Sequence, residues 1–308
     1  MPCPPVRTGS TIAAVIDTAI LAAIEARLTR ALEAPVTGYR PFVVDGVRVG
    51  YVDDARAARL AQFGRHVFAV DAAVTLAEGF RDCASRSAAL ADVALALRAE
   101  GALPAWRDEL YAVATGFGMP PLLLLERGAA RYFGVRTFAV HVNGVVASDG
   151  ATRMWFARRS PSKPVDPGML DNLVGGGIAA GDTIGRTLVK EAWEEAGIEE
   201  AIASTARPTG TLQVRRALVD GLQRETLFVH DLELPRAFVP ASQDGEAVEH
   251  RLVDLGEAAR LIAQTAGPDE VTVDASLVVL DYLLRHRALV PIPGDYRALD
   301  ALRRGEAV

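Results

Sequence analysis

Cysteine is nearly missing from this chain: Cys3 and Cys83 are the two in 308 residues. Two thiols cannot build a disulfide framework, so a reducing compartment is the simplest home and the cytoplasm is the expectation. Cys83 reads as a small buried hydrophobe. Long apolar runs are missing as well, and residues 120–125 are far too short to cross a bilayer. The Ala- and Ile-rich stretch 11–28 is broken by Asp17 and Glu25. It has no basic leader followed by a clean cleavage site, so it reads as an ordinary helix rather than a signal peptide. An excess of basic charge is lacking too. The formal net charge is −6, which excludes a general basic surface for duplex nucleic acid. It does not exclude a phosphate-bearing small molecule, because a metal ion can supply positive charge locally. The five histidines show no metal-ligand spacing. The chain contains neither internal repeats nor a low-complexity tract.

Apolar residues are plentiful, at 50% of the chain, and the length allows two domains. Residues 1–132 read as a small α+β module. It holds a helix over 11–33 and a hairpin of 41–44 and 47–52 around Asp45-Gly46. A helix over 55–63, a strand over 67–74, a helix over 87–100 and a short helix over 106–113 follow. Residues 133–290 read as a second module. It opens with strand 137–142, a turn at Asn143-Gly144 and residues 145–146, then a turn at Asp149-Gly150 and strand 154–157. A basic loop, 158–168, leads to apolar 170–174 and a glycine turn at 175–177. After a central helix come a long hairpin (210–219 and 225–232), a strand at 251–253, and helices over 255–264 and 273–286. Residues 291–308 read as a charged, loosely held tail. This order suits a mixed sheet packed between helices.

The segment 176–198, GGIAAGDTIGRTLVKEAWEEAGI, carries the chemistry. One helix bears Lys190, Glu191, Glu194 and Glu195 and stops at Gly197. At 3.6 residues per turn, the three glutamates share an arc of about 100°. Leu188, Val189, Ala192, Trp193 and Ala196 cover the adjoining face, with Trp193 expected in the core. Crowded carboxylates repel unless a cation neutralises them, and Mg²⁺ takes a few carboxylates plus substrate phosphates. Asp182 is placed to cap the helix.

This segment resembles the Nudix box: Gly176, five residues, Asp182, seven residues, Lys190-Glu191, Ala192, Trp193, Glu194-Glu195, Ala196, Gly197, Ile198. Asp182 stands where the family has Glu, and Lys190 where it has Arg, a residue whose planar fork Lys lacks. The likeness extends over roughly residues 40–287 through PFVVDGVRVGYV, HVNGVV, ARRSPSKPVDPGMLDNLVGGG, DGEAVEHRLV and DASLVVLDYLLRH. These stretches are similar to a two-domain Nudix subgroup labelled thiamine pyrophosphokinase-related.

The resemblance implies an α/β/α sandwich preceded by a small α+β domain. It also implies hydrolysis of a small organic diphosphate to a monophosphate, with thiamine diphosphate and its oxo and oxy forms as suggested substrates. Mg²⁺, with Mn²⁺ as a substitute, would be held by Glu191, Glu194, Glu195 and the Gly176 carbonyl. Glu191 is alternatively the base, and Glu246 of the loop 243–246, with Glu249 close by, is a further catalytic carboxylate. Arg158, Arg159, Lys163 and Asn172 are the expected substrate-binding residues; Arg215 and Arg216 are weaker candidates. The expected partner is the small-molecule diphosphate, with neither duplex nucleic acid nor membrane; dimers are common in the family, so a homodimer is compatible. Two other functions stay open: a non-catalytic diphosphate sensor, and an isopentenyl diphosphate isomerase-like enzyme, which needs a cysteine near the box.

Overall fold

A computed structural model describes residues 18–32, 37–148, 150–286 and 288. Cys3, the first part of the expected helix 11–33, Asp149 of the expected turn and the tail 291–308 lie outside the described residues.

The chain begins with helix α1 (Thr18–Leu32) and the hairpin β1 (Tyr39–Val44) and β2 (Val47–Asp53). Asp45 and Gly46 both take positive φ, 52° and 72°, as a tight two-residue hairpin turn demands. Helix α2 (Asp54–Ala61) starts on Asp53, whose side chain accepts the Arg56 N–H. Strands β3 (Phe68–Val70) and β4 (Val74–Leu76) follow, where one strand over 67–74 was expected. The four strands form a sheet in the order β2-β1-β4-β3. Helix α3 (Cys83–Ala99) opens with a reciprocal Asp82–Ser85 capping box. Strands β5 (Leu110–Val113) and β6 (Leu123–Glu126) pair as a separate ribbon. The helix expected over 106–113 is therefore a strand in its second half. Its apolar residues, Tyr111 and Val113, alternate into the core beside Phe42, Phe68 and Phe133.

The second module is one larger mixed sheet. Its strands are β7 (Arg136–Ser148), β8 (Ala151–Arg159), β9 (Leu170–Asn172), β10 (Val174–Gly177), β11 (Arg207–Leu218), β12 (Gly221–Glu233) and β13 (Ala247–Asp254). The order is β11-β12-β7-β8-β13, with β10 on β7 and β9 on β8. Helices α4 (Ile184–Ala196) and α5 (Glu200–Ala203) cover one face; α6 (Leu255–Ala263) and α7 (Val273–Arg285) cover the other. The layering is the expected α/β/α sandwich.

Two expected turns are strand. Asn143-Gly144 lies inside β7, because β12 supplies ladder partners there, Asp231 and Leu232. The Asn143 side chain is buried and donates to Asp231 at 3.0 Å, and Leu173 packs where a Gly144 side chain would stand. Likewise Gly175, Gly176 and Gly177 pair with His141, Val140 and Ala139 as strand β10.

Helix α1 does not pack with the module it precedes. Leu21, Ile24, Leu28 and Leu32 join the core formed with α6 and α7. Arg27, buried, donates to the Ile262 carbonyl (2.9 Å), the Ser276 hydroxyl (2.7 Å) and the Val271 carbonyl.

Candidate active site

The acidic helix α4 begins at Thr183, whose hydroxyl accepts the Arg186 N–H at 3.2 Å. Asp182, expected as the cap, instead faces Arg186 at 3.5 Å, since Thr183 already occupies the capping position. The helix ends at Gly197 with φ 65°, a conformation that favours glycine. Ala192 and Ala196 are buried, but Trp193 is 49% exposed, so the indole is on the surface and not in the core. The carboxylates share their arc with Lys190, not with the tryptophan.

Strand β10 lies under this helix, and its glycines let it come close. A Cβ on Gly176 would sit 2.3 Å from Glu191 Cδ. The Gly175 N–H donates to Glu195 Oε2 at 2.8 Å. Glu195 is buried. Burial first, then the charges of Glu191 and Asp171, push its carboxyl up to about 8, against the Gly175 bond and Lys163. Glu191 is also pushed up, by burial and by Glu194, while Lys190 and Arg127 oppose the rise. Lys190 bridges Glu191 (3.1 Å) and Glu194 (2.7 Å). Burial works against its ammonium, yet those two carboxylates hold it above the ordinary lysine range. Among the described residues, no three His, Cys, Asp or Glu side chains converge closely enough to hold a metal ion in this arrangement. The donor set is nevertheless one of hard oxygens, and burial, helped by like-charged neighbours, raises two of its carboxylates.

Glu191 and Glu194 line a cleft of about 260 Å³ with the three glycines and Lys190. The opposite wall is cationic. Arg159 donates to Asp171 at 2.8 Å, and Lys163 pairs with Glu246. Burial, then Arg159 and Arg107, push the Lys163 ammonium down to about 8. Glu246 reaches the cleft because its loop is stitched to the end of α4: the Gln243 N–H donates to the Glu194 carbonyl (2.7 Å) and the Ala241 N–H to that of Ala196 (3.0 Å). Arg107 stands 3.8 Å from Glu246.

Two of the expected substrate-binding residues are used elsewhere. The Arg158 guanidinium points away from the cleft and is spent on Glu249, Asp269 (2.6 Å) and the carbonyls of Gly168 and Pro268. Successive strand residues face opposite ways, so Arg158 and Arg159 cannot both line one wall. Glu249 is therefore an ion-pair partner on the outer side. Asn172 is 1% exposed and holds His141 Nδ1 (2.9 Å) and Asn143; it organises the strands beneath the site. Cys83, partly exposed at the start of α3, does not line the cleft.

The sequence reading missed what the first module contributes. Arg107, Tyr111 and Arg127 line the same cleft. Tyr111 is buried against Gly177, where an added Cβ would fall 1.8 Å from its hydroxyl oxygen. The Ala180 N–H donates to the Leu110 carbonyl at 2.8 Å, tying β5 to the loop before α4. Arg127 pairs with Glu109 at 2.7 Å. The only signal in the sequence was a cluster of arginines some 50 to 80 residues from the box, and no local pattern links them to it.

The NUDIX domain model matches residues 137–274, and that of a domain of unknown function, DUF4743, matches residues 24–137. "Nudix hydrolase 20, chloroplastic" of Arabidopsis thaliana is 41% identical over 235 residues, 76% of this chain and 62% of that protein. "Nudix hydrolase 24, chloroplastic" of the same plant is 39% identical over 219 residues, 71% of this chain and 59% of that protein. A solved structure from Deinococcus radiodurans is 23% identical with a TM-score of 0.41, covering 56% of this chain and 97% of that one. The chain thus spans 62% and 59% of the length of these two plant relatives.

Proposed function

We propose that the chain, whose residues 137–274 match the NUDIX domain model, is a Nudix hydrolase that depends on a divalent metal. It cleaves a diphosphate linkage in a small organic molecule and leaves a monophosphate. The observation that carries the reading is the cleft itself: Glu191 and Glu194 on one side, with Glu195 behind them, and Arg159, Lys163 and Arg107 on the other.

Glu191, Glu194, Glu195 and the Gly176 carbonyl would hold Mg²⁺ or Mn²⁺. When bound, the ion would neutralise phosphate oxygens and acidify a bound water. Lys163, Arg159 and Arg107 then receive the remaining phosphate charge, which competes with Glu246 for two of them. Glu191 is alternatively the base that takes the proton of the attacking water, leaving Glu194, Glu195 and the Gly176 carbonyl to hold the ion. Glu246, released from Lys163, is the alternative base. Thiamine diphosphate and its oxidised forms are the substrates this reading puts first, and the cytoplasm is the proposed compartment. No helix of the described residues is long and apolar enough to cross a membrane.

The test is a panel of diphosphates, thiamine forms included, with the purified chain and Mg²⁺ or Mn²⁺, read by phosphorus NMR. Monophosphate release that disappears in Glu195→Gln supports the reading. No release from any compound, with Glu195→Gln indistinguishable from wild type, ends it. A second reading, a sensor that binds diphosphates without cleaving them, is favoured by the Lys190 bridge, whose one positive charge already engages two of the three glutamates. Tight binding without turnover in the same panel would select it.

A further inference from the structure

The end of the cleft remote from α4 holds groups that hydrolysis leaves unused. Gln223, on β12, is 3% exposed and lines the cleft. Its amide donates to Glu225 Oε2 and to Asp274 Oδ2, each at 3.0 Å. Both partners are carboxylates, so the nitrogen must face them and the amide carbonyl must turn elsewhere. That carbonyl has no donor among the described residues, and neither has the buried Asp274 Oδ1. Buried acceptors without donors are rare, and each calls for an explanation. The Thr137 hydroxyl occupies the other oxygen of Glu225 at 3.0 Å. Asp166 brings a third carboxylate to the same end. Burial, then Glu225, raises the Asp274 carboxyl; burial, then Asp274, raises that of Asp166. Arg216 opposes both shifts, yet it does not line the cleft.

Away from the box glutamates the cleft therefore carries buried acceptors that have no donors among the described residues. We propose that Gln223, Asp274 and Glu225 bind the organic part of the substrate through a protonated or N–H-bearing nitrogen, so that the preferred substrates are diphosphates of cationic or amino-bearing groups. This rests on reading the box as a diphosphate-hydrolysing site. A nitrogen carrying hydrogens supplies the donors that the Gln223 carbonyl and Asp274 Oδ1 lack, and its charge offsets the carboxylates. A purely apolar or carbonyl-rich group would leave them unpaired, a mismatch that sites built of buried polar groups reject strongly.

A matched pair of probes tests this: 3-aminopropyl diphosphate and butyl diphosphate, which differ by an ammonium in place of a methyl. The wild-type chain should favour the amino compound at least tenfold, in kcat/KM with Mg²⁺ and in Kd by calorimetry. Asp274→Asn should bring both ratios close to one. If Asp274→Asn does not fold, Gln223→Met, which removes the acceptor at similar volume, should show the same collapse. Equal handling of the pair by wild type, or a preference that survives in the folded variants, overturns the proposal. Should neither compound be hydrolysed while calorimetry still shows the tenfold preference, this proposal stands, and the hydrolase reading is decided by the wider diphosphate panel.

Discussion

Replacing Gly176 with Ala puts one methyl into the contact between β10 and the acidic helix. The added Cβ would lie 2.3 Å from Glu191 Cδ, 2.4 Å from Cγ and 2.7 Å from Oε1. Carbon atoms settle near 3.5 Å, so the Glu191 side chain must move by about 1.2 Å or more. Its carboxylate is the far end of a flexible chain with 14% of its surface exposed, so it can swing without dragging the backbone. The stability cost should sit at the low end of overpacking, about 1 kcal/mol. That corresponds to a melting point lower by roughly 2–4 °C for a unit of this size. Catalysis should suffer far more, because a misplacement of about 1 Å costs about 100-fold in rate. Gly185→Ala is the control: nothing lies within 4 Å of its Cβ, it sits in the first turn of α4, and it should be neutral or slightly stabilising. The assay is steady-state diphosphate cleavage with Mg²⁺ titration, alongside thermal melting of both variants. A Gly176→Ala enzyme with wild-type turnover and Mg²⁺ dependence refutes the placement of Glu191. A melting point lower by more than about 10 °C refutes the claim that the side chain alone yields.

Other perturbations have equally definite outcomes. Glu195 has its folded pKa pushed up to about 8, so the native state holds a proton that the unfolded chain releases near pH 4. Its contribution is full below the unfolded value and lost as pH rises through 8. The metal-free protein should therefore melt progressively lower between pH 5 and 9, and Glu195→Gln should flatten that slope; an unchanged slope contradicts the assignment. Gly177→Ala drives its Cβ into the buried Tyr111 ring, 1.8 Å from the hydroxyl oxygen and 2.9 Å from Cζ. Neither side can yield cheaply, so denaturant unfolding should show a loss of about 2–3 kcal/mol. Arg27→Leu strands the Ile262 and Val271 carbonyls that the guanidinium serves. It should destabilise by about 3 kcal/mol, and a loss below 1 kcal/mol in the same measurement would show that α1 is not anchored there.

How far the sequence could be read follows from the range of the interactions involved. The glutamates of α4 interact at spacings of three and four along one helix, and Gly197 ends that helix by its own backbone preference, so that portion was legible. The sandwich was legible too, since each helix and most strands declare their apolar faces. Strand β10 was not, because a row of three glycines becomes a strand only when β7 is beside it to accept the pairing. Asn143-Gly144 misled for the same reason: its turn propensity is local, and the neighbouring strand β12 overrides it. Arg158 and Arg159 were indistinguishable until the strand assigned them opposite sides. Arg107, Tyr111 and Arg127 belong to a different module, and nothing in their surroundings along the chain points to α4.

The seating of α1 has a consequence for how such proteins can be recombined. The helix precedes one module in sequence but completes the hydrophobic interior of the other, with four apolar side chains and one threaded arginine. A chimera that swaps everything ahead of β7 for a relative's version would also exchange a piece of the second module's core. A workable graft must leave residues 18–32 with their host and splice on the far side of them, so the genetic order of the parts is not the order in which they can be detached.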